Sequence, residues 1–200
     1  MKEIILASTS KYRKDLLERL AIKFSCIAPG VNEDIYKNQI KDPLKLAEKL
    51  GLEKAKAVSL EHPKCLIIGS DQVAEIEGEI LGKPKTMENA FKQIKLLQGK
   101  EHRLITSFSV FNEGKFHTET NITILKMRAL SDSQVKNYLR MDIPFDCAGS
   151  YKLELHGISL FEQIQTEDHT AIIGLPLIQL ANLMNKIGFC IPPLVDVRKN

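Results

Sequence analysis

The sequence Cys65-Leu66-Ile67-Ile68-Gly69-Ser70-Asp71-Gln72 joins an apolar run to a glycine, a hydroxyl and a carboxylate. Four consecutive apolar residues are typical of a strand that is buried on both faces of a sheet. The run stops at Gly69, which leaves room for a ligand to approach. Asp71 is therefore predicted at the carboxyl end of a strand, where open α/β sheets bind ligands. The alternative is that Ser70 and Asp71 simply begin a turn.

Strand and helix patterns alternate along the rest of the chain. Both hairpins and crossover connections are predicted, which indicates an α/β fold with a mixed sheet. The predicted strands are residues 4–7, 23–28, 65–69, 73–76, 79–81, 104–111, 116–125 and 158–164. The predicted helices are residues 11–20, 43–61, 87–97, 132–140 and 177–187. Residues 31–34 are interpreted as an acidic loop, 1–200 as a single domain, and 190–200 as a loosely packed tail.

The composition is that of an ordinary globular protein, with 200 residues, 44% hydrophobic residues and a formal net charge of +3. This charge is too small to indicate nucleic-acid binding. No apolar run is long enough to span a membrane, and the N-terminus lacks a signal-peptide pattern. The cysteines form neither a zinc motif nor a disulfide framework, which fits a reducing cytoplasm. Cys26 and Cys65 are expected to be buried, and packing is the favoured role for Cys147.

The first predicted strand leads through Ser8-Thr9-Ser10 directly into a helix. Free backbone N–H groups at a helix start suit an anion, and Ser10 is placed to cap the helix. Lys11, Arg13 and Lys14 lie in the first turn, where the helix dipole disfavours cations. A bound phosphate would reverse that cost. The alternative is a solvated basic face, and the loop is not a Walker motif.

Carboxylates recur at predicted loop positions, namely Glu33, Asp34 and Asp71. Such groups repel a phosphate unless a divalent cation lies between them. Lys54 and Lys83 each have the plain interpretation of a surface lysine, but together with Arg13 they could neutralise a triphosphate.

A series of short segments extends over residues 1–188: Leu6-Ala7-Ser8-Thr9-Ser10 with Arg13, Glu33, Lys54-Ala55, Gly69-Ser70-Asp71-Gln72, Gly82-Lys83-Pro84, Leu97-Gln98-Gly99, Ala148-Gly149-Ser150-Tyr151 and Gly174-Leu175-Pro176. In order and spacing this series resembles the Maf family of nucleoside triphosphate pyrophosphatases. The resemblance implies an elongated mixed β-sheet flanked by helices with a central cleft, as in Maf and ITPase proteins, and usually a homodimer in the cytoplasm.

The resemblance also implies hydrolysis of a nucleotide between its α and β phosphates, with Mg²⁺, Mn²⁺ or Co²⁺ as the cofactor. Asp71 would accept the proton of the attacking water or hold the metal, and Glu33 would join it as a metal ligand. The phosphate-binding residues would be Ser8, Ser10, Arg13, Lys54 and Lys83. Neither nucleic acid nor a membrane is expected as a partner.

Three positions indicate which nucleotide is used. The pyrimidine branch of the family typically has Arg, Thr and Gln where this chain has Tyr12, Gln72 and Glu154. The present residues resemble the branch that hydrolyses 7-methyl-GTP. Glu154 offers two acceptors to the N1–H and N2–H₂ donors of guanine, and the face of Tyr12 favours a cationic methylated base.

Other interpretations stay open at this point. Glu154 could be a surface charge and Tyr12 an ordinary half-buried aromatic residue. The chain could act on dTTP or UTP, or bind a nucleotide as a low-turnover regulator of cell division. Two departures bear on the site: Lys11 replaces a common proline, and Leu155-His156 stands where many relatives have a glycine.

Overall fold

A computed structural model describes residues 2–193 of the chain. The strands are Ile4–Leu6 (β1), Ser25–Cys26 (β2), Leu66–Ile76 (β3), Glu79–Leu81 (β4), Glu101–Asn112 (β5), Lys115–Met127 (β6) and Phe161–Gln165 (β7). The α-helices are Lys11–Glu18 (α1), Glu33–Gln39 (α2), Pro43–Glu61 (α3), Met87–Leu97 (α4), Asp132–Asp142 (α5) and Leu177–Lys186 (α6). The 3₁₀ helices are His156–Leu160 and His169–Ile173.

These strands form one mixed sheet of seven strands in the order β2-β1-β3-β5-β6-β7, with β4 paired to β3. The predicted α/β class with a mixed sheet is confirmed. The five predicted helices are all present, and their ends agree to within two residues. Both predicted hairpins, β3–β4 and β5–β6, are also present.

Strand β3 is longer than the sequence predicts. It continues for 11 residues from Leu66 to Ile76, so the prediction that Asp71 lies at its carboxyl end is wrong. Strand β5 pairs with it from Ile67 to Glu75 and supplies the backbone hydrogen bonds that carry the strand through its polar residues. Asp71 lies in the middle of β3, opposite Ser107.

The other edge of β3 is only partly covered. Strand β1 runs parallel to it and pairs up to Leu6–Ile68, whereas β4 is antiparallel and pairs from Ala74 onward. Residues 69–73 therefore have no strand partner on this edge within residues 2–193. We call residues 69–73 the open edge. Asp71 thus lies beyond the carboxyl end of β1. The polar residue is therefore still close to the end of a strand, but that strand is β1 and not β3.

Helix α3 packs against β3 backbone to backbone. A Cβ atom on Gly69 would lie 2.4 Å from Ala55 N and 2.5 Å from Gly51 O. A Cβ atom on Gly51 would lie 3.1 Å from Ser107 O. Both glycines therefore permit the close approach of α3, and Gly69 makes room for a helix rather than for a ligand. Helix α3 is continuous through Gly51.

The segment before α3 also differs from its prediction. Residues 33–39 form helix α2, capped by Asn32, and not an acidic loop. Acidic side chains in a first helical turn are favoured by the helix dipole. No side chain of α2 is buried, so the apolar periodicity that would reveal it is missing. Strand β2 is only two residues long and exposed, which leaves Cys26 exposed, against expectation.

The remaining differences are small. The predicted strand at 158–164 begins as a 3₁₀ helix, and only its second half joins β6. Cys65 and Cys147 are half-buried. Residues 194–200 of the predicted tail lie outside the described residues. Across the described chain, none of the helices combines the length and apolar character that crossing a bilayer requires.

Candidate active site

Lys54 links two carboxylates at the open edge. Its Nζ atom lies 2.5 Å from Asp71 Oδ1 and 2.7 Å from Glu33 Oε1. Glu33 in turn contacts Lys37, with Nζ 2.7 Å from Oε2. Residues from α2, α3 and β3 therefore form one chain of alternating charges. The close packing of α3 on β3 is what brings Lys54 within reach of Asp71.

This chain of charges is partly withdrawn from solvent. The side chains of Lys54 and Asp71 are 9% and 10% exposed, and that of Glu33 is 35% exposed. Burial alone would raise the pKa of Glu33, but Lys54 and Lys37 outweigh it and lower the pKa to about 2. Glu33 is therefore ionised near neutral pH, and each carboxylate in the chain has an ammonium partner. Such a group costs several kcal/mol to break when buried, roughly 3–5 for loss of one partner.

The start of α1 lies at one end of the open edge. Strand β1 ends at Leu6, opposite Ile68, and Ser8 follows two residues later. Ser8 Oγ accepts a hydrogen bond from Ser10 N at 3.1 Å. Ser10 Oγ caps the helix by accepting from Arg13 N at 3.5 Å. The predicted cap is confirmed, and the free N–H groups of the first turn suit an anion.

Arg13 is anchored by one nitrogen only. Its Nε donates to Gly174 O at 2.9 Å, and Ser70 Oγ donates to the same oxygen at 2.9 Å. Gly174 has a φ of +119°, which favours glycine at this position. Within the described residues the two terminal nitrogens of Arg13 make no hydrogen bond. They remain available to an anion near the start of α1.

Lys83 lies at the other end of the open edge. It comes two residues after Leu81, the residue of β4 that pairs with Ala74. The lysine is exposed, and no ion pair joins it to another of residues 2–193. Ser8 and Lys83 thus flank the open edge from opposite sides, and Glu33, Lys54 and Asp71 lie between them.

The three residues expected to select the base are not grouped together. Tyr12 OH donates to Asp146 Oδ2 at 3.4 Å, and Lys152 Nζ lies 6.0 Å from the centre of the Tyr12 ring. Glu154 is exposed two residues after Lys152, so it belongs to the same region.

Gln72 lies elsewhere, on the face of β3 opposite to Asp71, because side chains alternate along a strand. Its Nε2 donates to Ala171 O at 2.9 Å and to Ile172 O at 3.0 Å. Gln72 therefore anchors the 3₁₀ helix that precedes Gly174.

The comparisons with known proteins show which family the chain belongs to. A family profile described as "Maf-like protein" matches residues 3–187. The chain belongs to the Maf family. The resemblance inferred from the motifs is thereby confirmed.

Three similar relatives of this Maf protein carry the name 7-methyl-GTP pyrophosphatase. The relative from Bdellovibrio bacteriovorus is 46% identical, over 92% of this chain and 96% of its own. That from Colwellia psychrerythraea is 44% identical over 94% of each chain, and that from Xanthomonas axonopodis pv. citri is 42% identical over 96% of this chain and all of its own. A solved HAM1 protein from Coxiella burnetii aligns over 93% of this chain with 11% identity and a TM-score of 0.46, which is too weak to carry any argument.

A divalent metal is implied by the resemblance of this Maf protein to its family. Glu33 and Asp71 each contact Lys54 Nζ, so one oxygen of each carboxylate faces the same positive charge. No group of three or more metal-ligating side chains exists in residues 2–193. Mg²⁺ usually takes one or two carboxylates together with substrate phosphates. The donor set therefore fits a metal that arrives with a nucleotide, at a place where Lys54 now provides the positive charge.

Three residues that support the candidate site are not predicted by the sequence. Lys37 lies four residues after Glu33, a spacing that is informative only once α2 is known to be a helix. The sequence places Ser70 in a family motif, or alternatively at the start of a turn, but does not predict that it is fully buried and donates to Gly174 O. Gly51 is the third, since it allows α3 to approach β3. No local signal marks the roles of Ser70 and Gly51, because both depend on contacts between distant segments.

Proposed function

We propose that this chain is a hydrolase of phosphoric anhydrides that cleaves 7-methyl-GTP to 7-methyl-GMP and pyrophosphate. The observation that carries the proposal is Asp71, buried at an open sheet edge with the ammonium group of Lys54 from a packed helix at its carboxylate. The names of relatives at 42–46% identity support the reaction and the substrate. Hydrolysis of a phosphoanhydride needs charge neutralisation and positioning more than covalent catalysis.

Asp71 is the group that activates water in this proposal. A water oxygen forms a bond to the α phosphorus, and the bond from that phosphorus to the α–β bridging oxygen breaks. Asp71 accepts the proton of the water, and pyrophosphate departs with the bridging oxygen. When the nucleotide binds, Lys54 turns from the two carboxylates toward the phosphates, so that its positive charge stabilises them before the water attacks.

The remaining cations hold the triphosphate. Arg13 is fixed by its Nε atom on Gly174 O, which leaves its terminal nitrogens for two phosphate oxygens. Ser8, Ser10 and the first turn of α1 donate at one end of the open edge, and Lys83 closes the other end. A divalent ion bound with the nucleotide would neutralise phosphate charge, with Glu33 and Asp71 as its protein ligands.

Base selection is proposed for the region of Tyr12 and Glu154. Glu154 makes no hydrogen bond within residues 2–193, so both carboxylate oxygens remain available to guanine N1–H and N2–H₂. The face of Tyr12 favours the positive charge that N7 methylation gives to the base. Gln72 acts on the base only indirectly, by holding the 3₁₀ helix His169–Ile173 in place.

A nucleotide panel tests the proposal. The purified protein is incubated with Mg²⁺, Mn²⁺ or Co²⁺ and 7-methyl-GTP, GTP, dTTP, UTP or CTP, and pyrophosphate and monophosphate release are measured. We expect the highest kcat/KM with 7-methyl-GTP. A preference for dTTP or UTP would move the chain to the pyrimidine branch. If every nucleotide is recovered intact, the result would contradict an enzymatic function and favour a nucleotide-binding regulator.

A homodimer is proposed from the family resemblance alone. Size-exclusion chromatography with light scattering checks it, because a mass near 22.5 kDa would show a monomer.

A further inference from the structure

The segment from Lys152 to Gly157 is a closed turn, which we call the Glu154 turn. Lys152 O accepts hydrogen bonds from Leu155 N at 3.2 Å and from Gly157 N at 3.0 Å. A Cβ atom on Gly157 would lie 2.4 Å from Lys152 O, so the turn depends on a glycine there. Glu154 and His156 lie between these two ends.

The turn is attached to α5 at its first residue. Lys152 N donates to Tyr138 OH at 2.9 Å, and Lys152 Nζ donates to Ile143 O at 3.5 Å. Both acceptors belong to the C-terminal part of α5 or to the residue that follows it. This attachment fixes where the turn begins but leaves the position of its tip undetermined.

A second attachment lies beyond Glu154. Asp142 is the last residue of α5, and its side chain is only 1% exposed. Its Oδ1 lies 2.6 Å from His156 Nδ1, and its Oδ2 has no hydrogen-bond partner in the part of the chain that the structure describes. His156 itself is 65% exposed. An exposed imidazole is thus tied to a buried carboxylate on a neighbouring helix.

This pairing has a physical cause. A carboxylate at a helix C-terminus is disfavoured by the helix dipole, and burial adds a desolvation cost. His156 Nδ1 is the hydrogen-bond donor that offsets both effects, so the contact is not an incidental surface pair. Breaking it would leave a buried acceptor unpaired and release the turn tip from α5.

We propose that the Asp142–His156 pair positions Glu154 for selection of the nucleobase, with no need for His156 to touch the base. The proposal rests on the role of Glu154 in the proposed function. Lys152 and His156 hold the backbone of the turn on either side of Glu154, which restricts the region that its carboxylate can reach. A preorganised acceptor pair discriminates between bases better than a mobile one, because less ordering accompanies binding.

Three variants test this role. His156→Ala removes the hydrogen bond, whereas His156→Asn retains a donor near the place of Nδ1. Arg140→Ala is the matched control, since it changes an exposed residue at the same end of α5 that makes no ion pair among the described residues. The first readout is the ratio of kcat/KM for 7-methyl-GTP to that for GTP. We expect a drop of about tenfold for His156→Ala, substantial recovery in His156→Asn, and no change in Arg140→Ala.

A second readout does not depend on any substrate. Amide hydrogen exchange at residues 154–157 is expected to speed up in His156→Ala and to return toward the original rate in His156→Asn. An unchanged selectivity ratio in folded His156→Ala overturns the proposal. If the unaltered protein fails to turn over 7-methyl-GTP, the proposed function is wrong. In that case, unchanged amide hydrogen exchange in His156→Ala would separately overturn the positioning role.

Discussion

Lys54 Nζ lies 2.5 Å from Asp71 Oδ1, and neither side chain is more than 10% exposed. The pair joins the longest helix to the central strand, and Glu33 extends it to a third element. A shielded pair of this kind is costly to break, because the remaining charge is left buried without a partner. It also holds a cation beside the carboxylate that is proposed to activate water. Loss of either partner should therefore affect both stability and turnover.

Asp71→Asn tests the carboxylate itself. The amide keeps the shape but cannot accept a proton from water, so we expect kcat to fall by at least about 100-fold. The free energy of unfolding should also fall, because Lys54 loses a charged partner. Pyrophosphate release and urea unfolding measure the two effects. Asp132→Asn is the control, since its ion pair with Lys95 is exposed and contributes little. Near-normal turnover of folded Asp71→Asn would exclude the proposed role.

Gly69→Ala tests the contact between α3 and β3. The new methyl group would meet backbone atoms at 2.4 Å and 2.5 Å, which cannot move without shifting α3. We expect a loss of about 1–3 kcal/mol in the free energy of unfolding, together with reduced turnover as Lys54 moves away from Asp71. Gly82→Ala is the stability control, because a Cβ atom there has no neighbour within 4 Å. Equal stability of the two variants would contradict the argument.

Glu33→Gln tests the second carboxylate. Removing its charge leaves Asp71 as the only ionised ligand of this pair, so we expect the Mg²⁺ concentration for half-maximal turnover to rise about tenfold. Binding of Mn²⁺ in the presence of a non-hydrolysable nucleotide, followed by its paramagnetic relaxation, gives a readout apart from activity. Asp34→Asn, one residue along α2 and exposed, should leave both values unchanged. An unaltered metal requirement in Glu33→Gln would remove Glu33 from the metal site.

His102 predicts a dependence of stability on pH. Burial lowers the pKa of its imidazole from 6.5 to about 4, and its Nε2 lies 2.8 Å from Tyr151 OH. Between these two pH values the unfolded chain binds a proton that the folded chain does not. The free energy of unfolding should therefore fall as the pH drops from about 6.5 to about 4, by ~1.4 kcal/mol per unit at most.

His102→Gln removes this titration and keeps a polar atom near Tyr151. Urea unfolding at several pH values in that range should show a shallower pH dependence for the variant than for the unaltered protein. Identical slopes would show that His102 does not contribute.

The parts of the fold that could be predicted are those with local signals. Helix α3 was predicted to the residue because Pro43 opens it and an apolar stripe continues to its end. Helix α2 was missed because nothing in it is buried. The full length of β3 was missed because its polar residues are accommodated by Ser107 and its neighbours in β5, which lie more than 30 residues away.

In the candidate site, too, local sequence signals predict some features, and contacts between distant segments determine the others. The order and spacing of the family motifs identify Arg13, Lys54 and Asp71 as candidate residues. They do not predict which groups these side chains contact. The turn from Lys152 to Gly157 and its attachment to α5 depend on a buried carboxylate that looks like an ordinary helical aspartate in the sequence.

The glycine contact between α3 and β3 also limits how this protein can change. Where helix and strand meet through side chains, a larger or smaller residue can adjust their separation in small steps. Here the separation is set by two backbones, so a larger residue at Gly69 or Gly51 cannot adjust it in small steps. Under the proposed function, changes of substrate preference are expected around Tyr12 and the Glu154 turn, while the Lys54–Asp71 pair stays the same.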